Sequence, residues 1–187
     1  VSAAQTVNPS YLVVSRDRRF VYAVNEMPGD NGPATQRGGI SAFRFDAASG
    51  QLTFLNKVSS DGNDPCYLSL SPDGSRFAFH ADYRIVTINV DGTYRCEVNG
   101  VSGQLLFGTS WSPEGEWVLY QVCTPKSDPG HDWSDIWIGR FDGTQERRHR
   151  HAFRVGVGDA GVTRARVGVA RIDDERPHGG SGTRLRG

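Results

Sequence analysis

One phrase occurs three times in this chain. Pro9–Val24 reads PSYLVVSRDRRFVYAV, Pro65–His80 reads PCYLSLSPDGSRFAFH and Phe107–Val122 reads FGTSWSPEGEWVLYQV. Each couples a short apolar strand to a second one, rich in aromatic and β-branched residues, through a Ser-Pro-Asp-Gly-like turn. A polar loop and another strand pair follow each phrase, turning at Asp46–Gly50 (DAASG), Asp91–Thr93 (DGT) and Asp142–Thr144 (DGT). Pro-Asp-Gly and Asp-Gly supply the positive-φ position that tight hairpins need. In Ile40–Phe45 and Ile85–Val90 apolar residues recur with a period near two, the mark of half-buried strands. Self-similarity at about 40–50 residues, with four strands to a unit, is the pattern of a β-propeller in which each repeat is one blade.

The expected fold is all-β: a β-propeller fragment of about three four-stranded blades over residues 8–58, 64–98 and 107–148, within a propeller region 1–148. Residues 149–187 form an irregular Arg/Gly-rich C-terminal tail with one aromatic, Phe153, and no Lys. Formal net charge is zero, which points to neither nucleic acid nor membrane as a partner. The balance is uneven: ten Arg and four acidic residues from Arg147 onward leave −6 on the preceding part. Two readings of the tail compete, a basic arm for polyanions and a disordered or frame-shifted end. The second is preferred, because no aromatic residues interleave with the arginines.

Cys66, Cys96 and Cys123 are an odd number without a CxxC pair, so they are expected as small core residues rather than a disulfide framework. No apolar run reaches membrane-spanning length. The chain begins with Val and shows no signal-peptide pattern, an absence that says little about compartment; the location expected is cytoplasmic.

Antiparallel strand order puts the short standard turns on one face and the irregular connections on the other. The latter are Asn25–Gly38, Ser59–Pro65, His80–Tyr83 and Val122–Ser134, and binding and catalysis concentrate on such loops. His80 beside Asp82 is a candidate acid–base pair, with Glu26 a further catalytic candidate. Arg37, Tyr83 and His131 are candidate substrate contacts, Arg37 with Glu26 flanking a loop that could grip a phosphate or carboxylate. The bland alternatives are a hydrogen-bonded strand-end histidine and solvated surface charges. Glu26, Arg37, His80 and His131 are expected to be exposed. Asp128, His131, Asp132 and Asp135 have metal-ligand chemistry but read better as a solvated loop, so no metal is expected. Ser10, Ser41 and Ser69 lack a GxSxG elbow and are not nucleophiles. Trp111, Trp117, Trp133 and Trp137 read as packing between blades.

Residues from about 6 to 76 resemble the bacterial lactonase propellers, the seven-bladed family that includes 6-phosphogluconolactonase. The matching phrases are NPSYLVVSRDRRFVYAVNE (Asn8–Glu26), GGISAFRFDAASGQLTFLNKVSSDG (Gly38–Gly62) and DPCYLSLSPDG (Asp64–Gly74). From about 75 to 148 the repeats, with DGT turns and Trp before SPxG, resemble TolB-type propellers. The lactonase resemblance implies hydrolysis of a sugar lactone or sugar-phosphate lactone with no cofactor, and an incomplete, weakly active or inactive chain at three blades. The family's catalytic His, Arg and Glu motifs have no counterpart here, although Asn25-Glu26 matches its Val-Asn-Glu phrase. The TolB resemblance implies a non-catalytic periplasmic propeller that docks a protein or peptide on its loop face. On either reading, open blade edges favour self-association.

Overall fold

Twelve strands form three antiparallel four-stranded sheets in the computed structural model, which describes residues 3–28, 38–99, 104–124 and 133–148. The first sheet holds β1 (Pro9–Val14), β2 (Phe20–Asn25), β3 (Gly39–Asp46) and β4 (Gln51–Ser59) in that order. The second holds β5 (Cys66–Leu70), β6 (Arg76–Ala81), β7 (Arg84–Asn89) and β8 (Cys96–Asn99). The third holds β9 (Leu105–Trp111), β10 (Trp117–Thr124), β11 (Trp133–Arg140) and β12 (Glu146–Arg148). Each sheet is a simple meander, the form of a propeller blade. The tail falls outside the described residues. Among those residues no helix is long and apolar enough to cross a membrane.

The turns that repeat in sequence repeat in atoms. The Ser71 hydroxyl donates to Asp73 Oδ1 (2.6 Å) and accepts from the Arg76 amide (2.9 Å), while the Ser75 amide donates to Asp73 (3.0 Å). Ser15, Asp17 and Phe20 reproduce this in the first blade. These donors hold the Asp17 and Asp73 carboxyls at about 2, the serine hydroxyl being the largest cause in each. In both DGT turns the Asp carboxylate accepts from the amide and hydroxyl of the Thr two residues on.

Alternation then decides packing. Along β6, Phe77, Phe79 and Ala81 point to the first blade and join Val24, Ile40, Leu68, Val86 and Ile88 in one core. Ala78 and Ile85 point the other way and join Val98, Leu106, Val118, Tyr120 and Val122 in a second core, with Trp111 and Trp137 against it. Burying Phe77 and Phe79 contributes about 1.5–3 kcal/mol each. Hydroxyls stitch the blades as well. Thr109 Oγ1 donates toward the carbonyls of Tyr67 (2.6 Å) and Ala78 (3.0 Å), and Thr87 Oγ1 donates to the Phe141 carbonyl (2.6 Å). Strand β5 lies between β1 and β9, so the first strand of each blade converges on its neighbours.

Two expectations change. His80–Tyr83 is not an irregular loop: β6 runs through Ala81, and Asp82-Tyr83 is a two-residue turn with φ of 51° and 57°. Both angles positive is the mirror-image turn that matches the strand twist, here made without glycine. The three cysteines are half-buried rather than core residues, and they are not joined in disulfides.

Candidate functional site

The connection between the first two blades, Ser60–Pro65, crosses the loop face and brings three elements together. The Asp64 amide donates to the Met27 carbonyl (3.1 Å), the Asp82 amide to the Asn63 carbonyl (2.9 Å) and the Leu106 amide to the Tyr83 carbonyl (3.2 Å). This places Glu26, just past β2, near Cys66 at the head of β5 and His80 on β6. The Glu26 carboxylate reaches the Cys66 thiol, and Ser10 Oγ lies 3.5 Å from the same sulfur. Burial pushes the Cys66 thiol up, and Glu26 adds to that push.

His80 is paired with Cys66 across the β5–β6 ladder. It is only 7% exposed, which corrects the expectation of an exposed loop-face histidine. Its ring packs 5.3 Å from that of Tyr67 and 5.6 Å from that of Phe107, and its Nδ1 is buried without a hydrogen-bond partner. Burial holds the imidazole below its ordinary range, while the Glu26 and Asp64 carboxylates pull it up. Asp82 is engaged elsewhere, its carboxylate accepting from the Asn63 side-chain amide at 2.6 Å. Tyr83 is exposed at the turn, with its ring 5.9 Å from Phe107. Arg37 and His131 lie outside the described residues, as do Asp128 and Asp132. Among the described residues no group of three or more His, Cys, Asp or Glu could hold a metal ion.

Three neighbours of this cluster escaped the sequence reading. Asn25, 0% exposed, donates to Thr6 Oγ1 (2.8 Å) and the Val7 carbonyl and accepts from Ser41 Oγ (2.7 Å), so it ties residues 6–7 onto the first blade. Tyr67 and Phe107 supply the walls around His80. The recurrence of Tyr at positions 11 and 67 in the aligned phrases was the available signal for the aromatic wall. Ser10, Ser41 and Ser69 serve as contacts, to Cys66, Asn25 and Thr109 respectively.

Residues 1–101 match the family model described as "Lactonase, 7-bladed beta-propeller", more than half of the chain and well past the point where the phrase resemblance ends. The 6-phosphogluconolactonase of Bacillus subtilis is 32% identical over 88 residues, which are 47% of this chain and 23% of that protein. A Bacteroides fragilis structure provisionally described as a 6-phosphogluconolactonase superposes with a TM-score of 0.52 at 28% identity, covering 72% of this chain and 39% of the other. A TolB-type structure from Agrobacterium tumefaciens gives 0.54 at 20% identity, covering 77% and 50%, a likeness of fold. The matched part is thus well under half of either lactonase relative. By its sequence model and its blades, the chain belongs to the seven-bladed β-propeller lactonase family.

Proposed function

We propose that this chain contributes three blades to a sugar-lactone hydrolase and that Glu26 is the carboxylate on them that takes part in the reaction. The observation that carries this is the family match through residue 101, which includes the loop-face cluster of Glu26, Asp64, Cys66 and His80. Hydrolysis requires water to attack the ring carbonyl, its proton to pass to a base, and the ring C–O bond to break with that proton delivered to the departing alkoxide. A half-buried carboxylate is suited to the transfer. His80, 7% exposed and with its Nδ1 buried, acts here as a positioning residue behind Glu26. Tyr83, Arg37 and His131 remain the proposed contacts for the rest of the substrate, while the Asp82 carboxylate at the turn is held by Asn63.

The described residues form three sheets where the family description has seven blades, so the proposal assigns strong turnover only to a protein with further blades. The test is the rate of 6-phosphogluconolactone hydrolysis above the spontaneous rate, for this chain and for one extended to seven blades. The extended protein should turn over, and Glu26→Gln should lower its kcat by about 10²-fold or more. Unchanged kcat in Glu26→Gln removes that residue from the mechanism. Rapid turnover by this chain as a clean monomer overturns the need for more blades. An extended protein that hydrolyses no sugar lactone favours the TolB-like alternative, a periplasmic propeller docking a protein or peptide, over a cytoplasmic enzyme.

Self-association belongs to the same proposal. Val14, Val21, Phe43 and Phe54 stand opposite one another across all four strands of the first blade, on the face turned away from the second. Phe54 is 54% exposed and Leu12 and Val14 are exposed too. An open apolar sheet face of this kind favours burial against another sheet.

A further inference from the structure

Four aromatic rings run along the inner, loop-side corner of the three blades. Tyr11 lies 6.1 Å from Tyr67, Tyr67 lies 6.5 Å from Phe107, and Phe107 lies 5.9 Å from Tyr83, measured between ring centroids. They come from the first strand of each blade and from the β6–β7 turn, and none is remote from the Glu26–His80 cluster. Tyr11, Tyr67 and Tyr83 remain 45%, 43% and 53% exposed. Two of them stand on backbone that side chains rarely adopt, Tyr67 at φ 53° and Tyr83 at φ 57°. A bulky residue at such a φ costs stability, and is held there only by what surrounds it. A second, buried layer backs the first of these: the His80 ring, its Nδ1 without a hydrogen-bond partner, packs behind Tyr67 and Phe107.

Among the described residues, carboxylates gather around this row. Glu26, Asp61, Asp64 and Asp82 belong to the connections that border it. Two described cations beside them are held by protein groups. Arg84 is held by both Glu97 oxygens at 3.0 Å, and Arg95 directs its guanidinium to the carbonyls of Ser60 and Asp61. Aromatic faces carry negative charge and attract the weakly positive C–H bonds of a sugar ring. Carboxylates accept from hydroxyl donors in charge-assisted hydrogen bonds, and they repel a phosphate.

We infer that the Tyr11–Tyr67–Phe107–Tyr83 row is a binding subsite for the uncharged, polyhydroxylated part of a sugar ring, and that this part of the loop face rejects a phosphorylated one. The inference rests on the sugar-lactone reading above and narrows it: a phosphate, where the substrate has one, lies away from these two blade junctions.

The test is ligand-observed saturation-transfer NMR on the full chain, titrated with methyl β-D-glucopyranoside and, separately, with glucose 6-phosphate. The glucoside should bind, and the phosphate should bind about tenfold more weakly. Tyr83→Gly removes a ring at a position where glycine relieves the positive φ, so the variant stays folded. It should weaken glucoside binding about tenfold, as should Tyr67→Ala, whereas Tyr67→Phe should retain it. Phe54→Ala, on the far side of the first blade, should change nothing. No transfer from the glucoside, unchanged affinity in folded Tyr83→Gly, or tighter binding of glucose 6-phosphate would each overturn the inference. Binding is read without turnover, so the two readings fail separately. Tyrosine-dependent glucoside binding in an extended protein that hydrolyses no lactone keeps the subsite and removes the hydrolase.

Discussion

His80→Ala tests the most consequential placement in the structure, a histidine buried behind the candidate site. The wild-type ring fills the space between Tyr67 and Phe107 and is 7% exposed. Removing an aromatic side chain from a core costs about 3–5 kcal/mol. Imidazole is smaller, and its unpartnered Nδ1 already carries a penalty of about 1 kcal/mol that the variant sheds. The expected loss is therefore about 2–3 kcal/mol, or roughly 4–12 °C in Tm for a chain of this size. His80→Phe keeps the ring volume and removes the orphan nitrogen, so it should stay within about 1 kcal/mol of wild type. The pair also separates in pH. Burial depresses the folded-state His80 below its ordinary 6.5, so the unfolded chain takes up that proton first as pH falls. Stability is thus complete above about 6.5 and declines below it, by at most about 1.4 kcal/mol per pH unit and less where water screens the site. His80→Phe should flatten this limb. Urea unfolding followed by tryptophan fluorescence at pH 7.5, 6.5 and 5.5 measures both effects. A loss under about 0.5 kcal/mol in His80→Ala, or parallel pH curves for wild type and His80→Phe, would refute the burial argument.

Asn25→Ala should cost about 2–3 kcal/mol, since it strands a carbonyl and a hydroxyl in the first blade. The Glu26 amide, bonded to the Asn8 carbonyl, should lose hydrogen-exchange protection with it. Ser71→Ala should cost about 1–2 kcal/mol in chemical denaturation by freeing the Arg76 amide. The stability that Asp17 and Asp73 supply should be full above 3.8 and vanish as pH falls through about 2, and Ser71→Ala should shrink the Asp73 share of that acid limb. Phe54→Asp should reduce any concentration-dependent growth in size seen by analytical ultracentrifugation without moving Tm by more than about 2 °C, and an unchanged distribution would clear that face of a role in association.

What the sequence made legible is what local chemistry determines. Ser71, Asp73 and Ser75 complete their bonds within five residues, and Asp91 with Thr93 within two, so the turn phrases carried the strand order and the division into two faces with them. The Asp82-Tyr83 hairpin escaped because its signal is normally Asn-Gly or Asp-Gly, and tyrosine at φ 57° is a choice no propensity anticipates. His80 escaped for a different reason. Its strand position is evident, but its burial is decided by Phe107, which stands 27 residues later in another blade. The repeat itself shows where such surprises concentrate. Aligned on the turn serines, Ser15, Ser71 and Ser112 keep one role, each hydroxyl accepting the amide that opens the next strand. At the opposite end of the same strands the aligned residues are Ser10, Cys66 and Phe107, then Tyr11, Tyr67 and Gly108. The pairing slips there in all three blades, at Pro9/Tyr11, Cys66/Ser69 and Leu119/Gln121. A bulge adds a residue to one strand and re-aims its side chain. The turn end is thus held constant by hydrogen bonds that fix the blade, while the loop end is released from strict register and free to vary. The proposed site therefore lies at the strand heads, where the repeat is weakest.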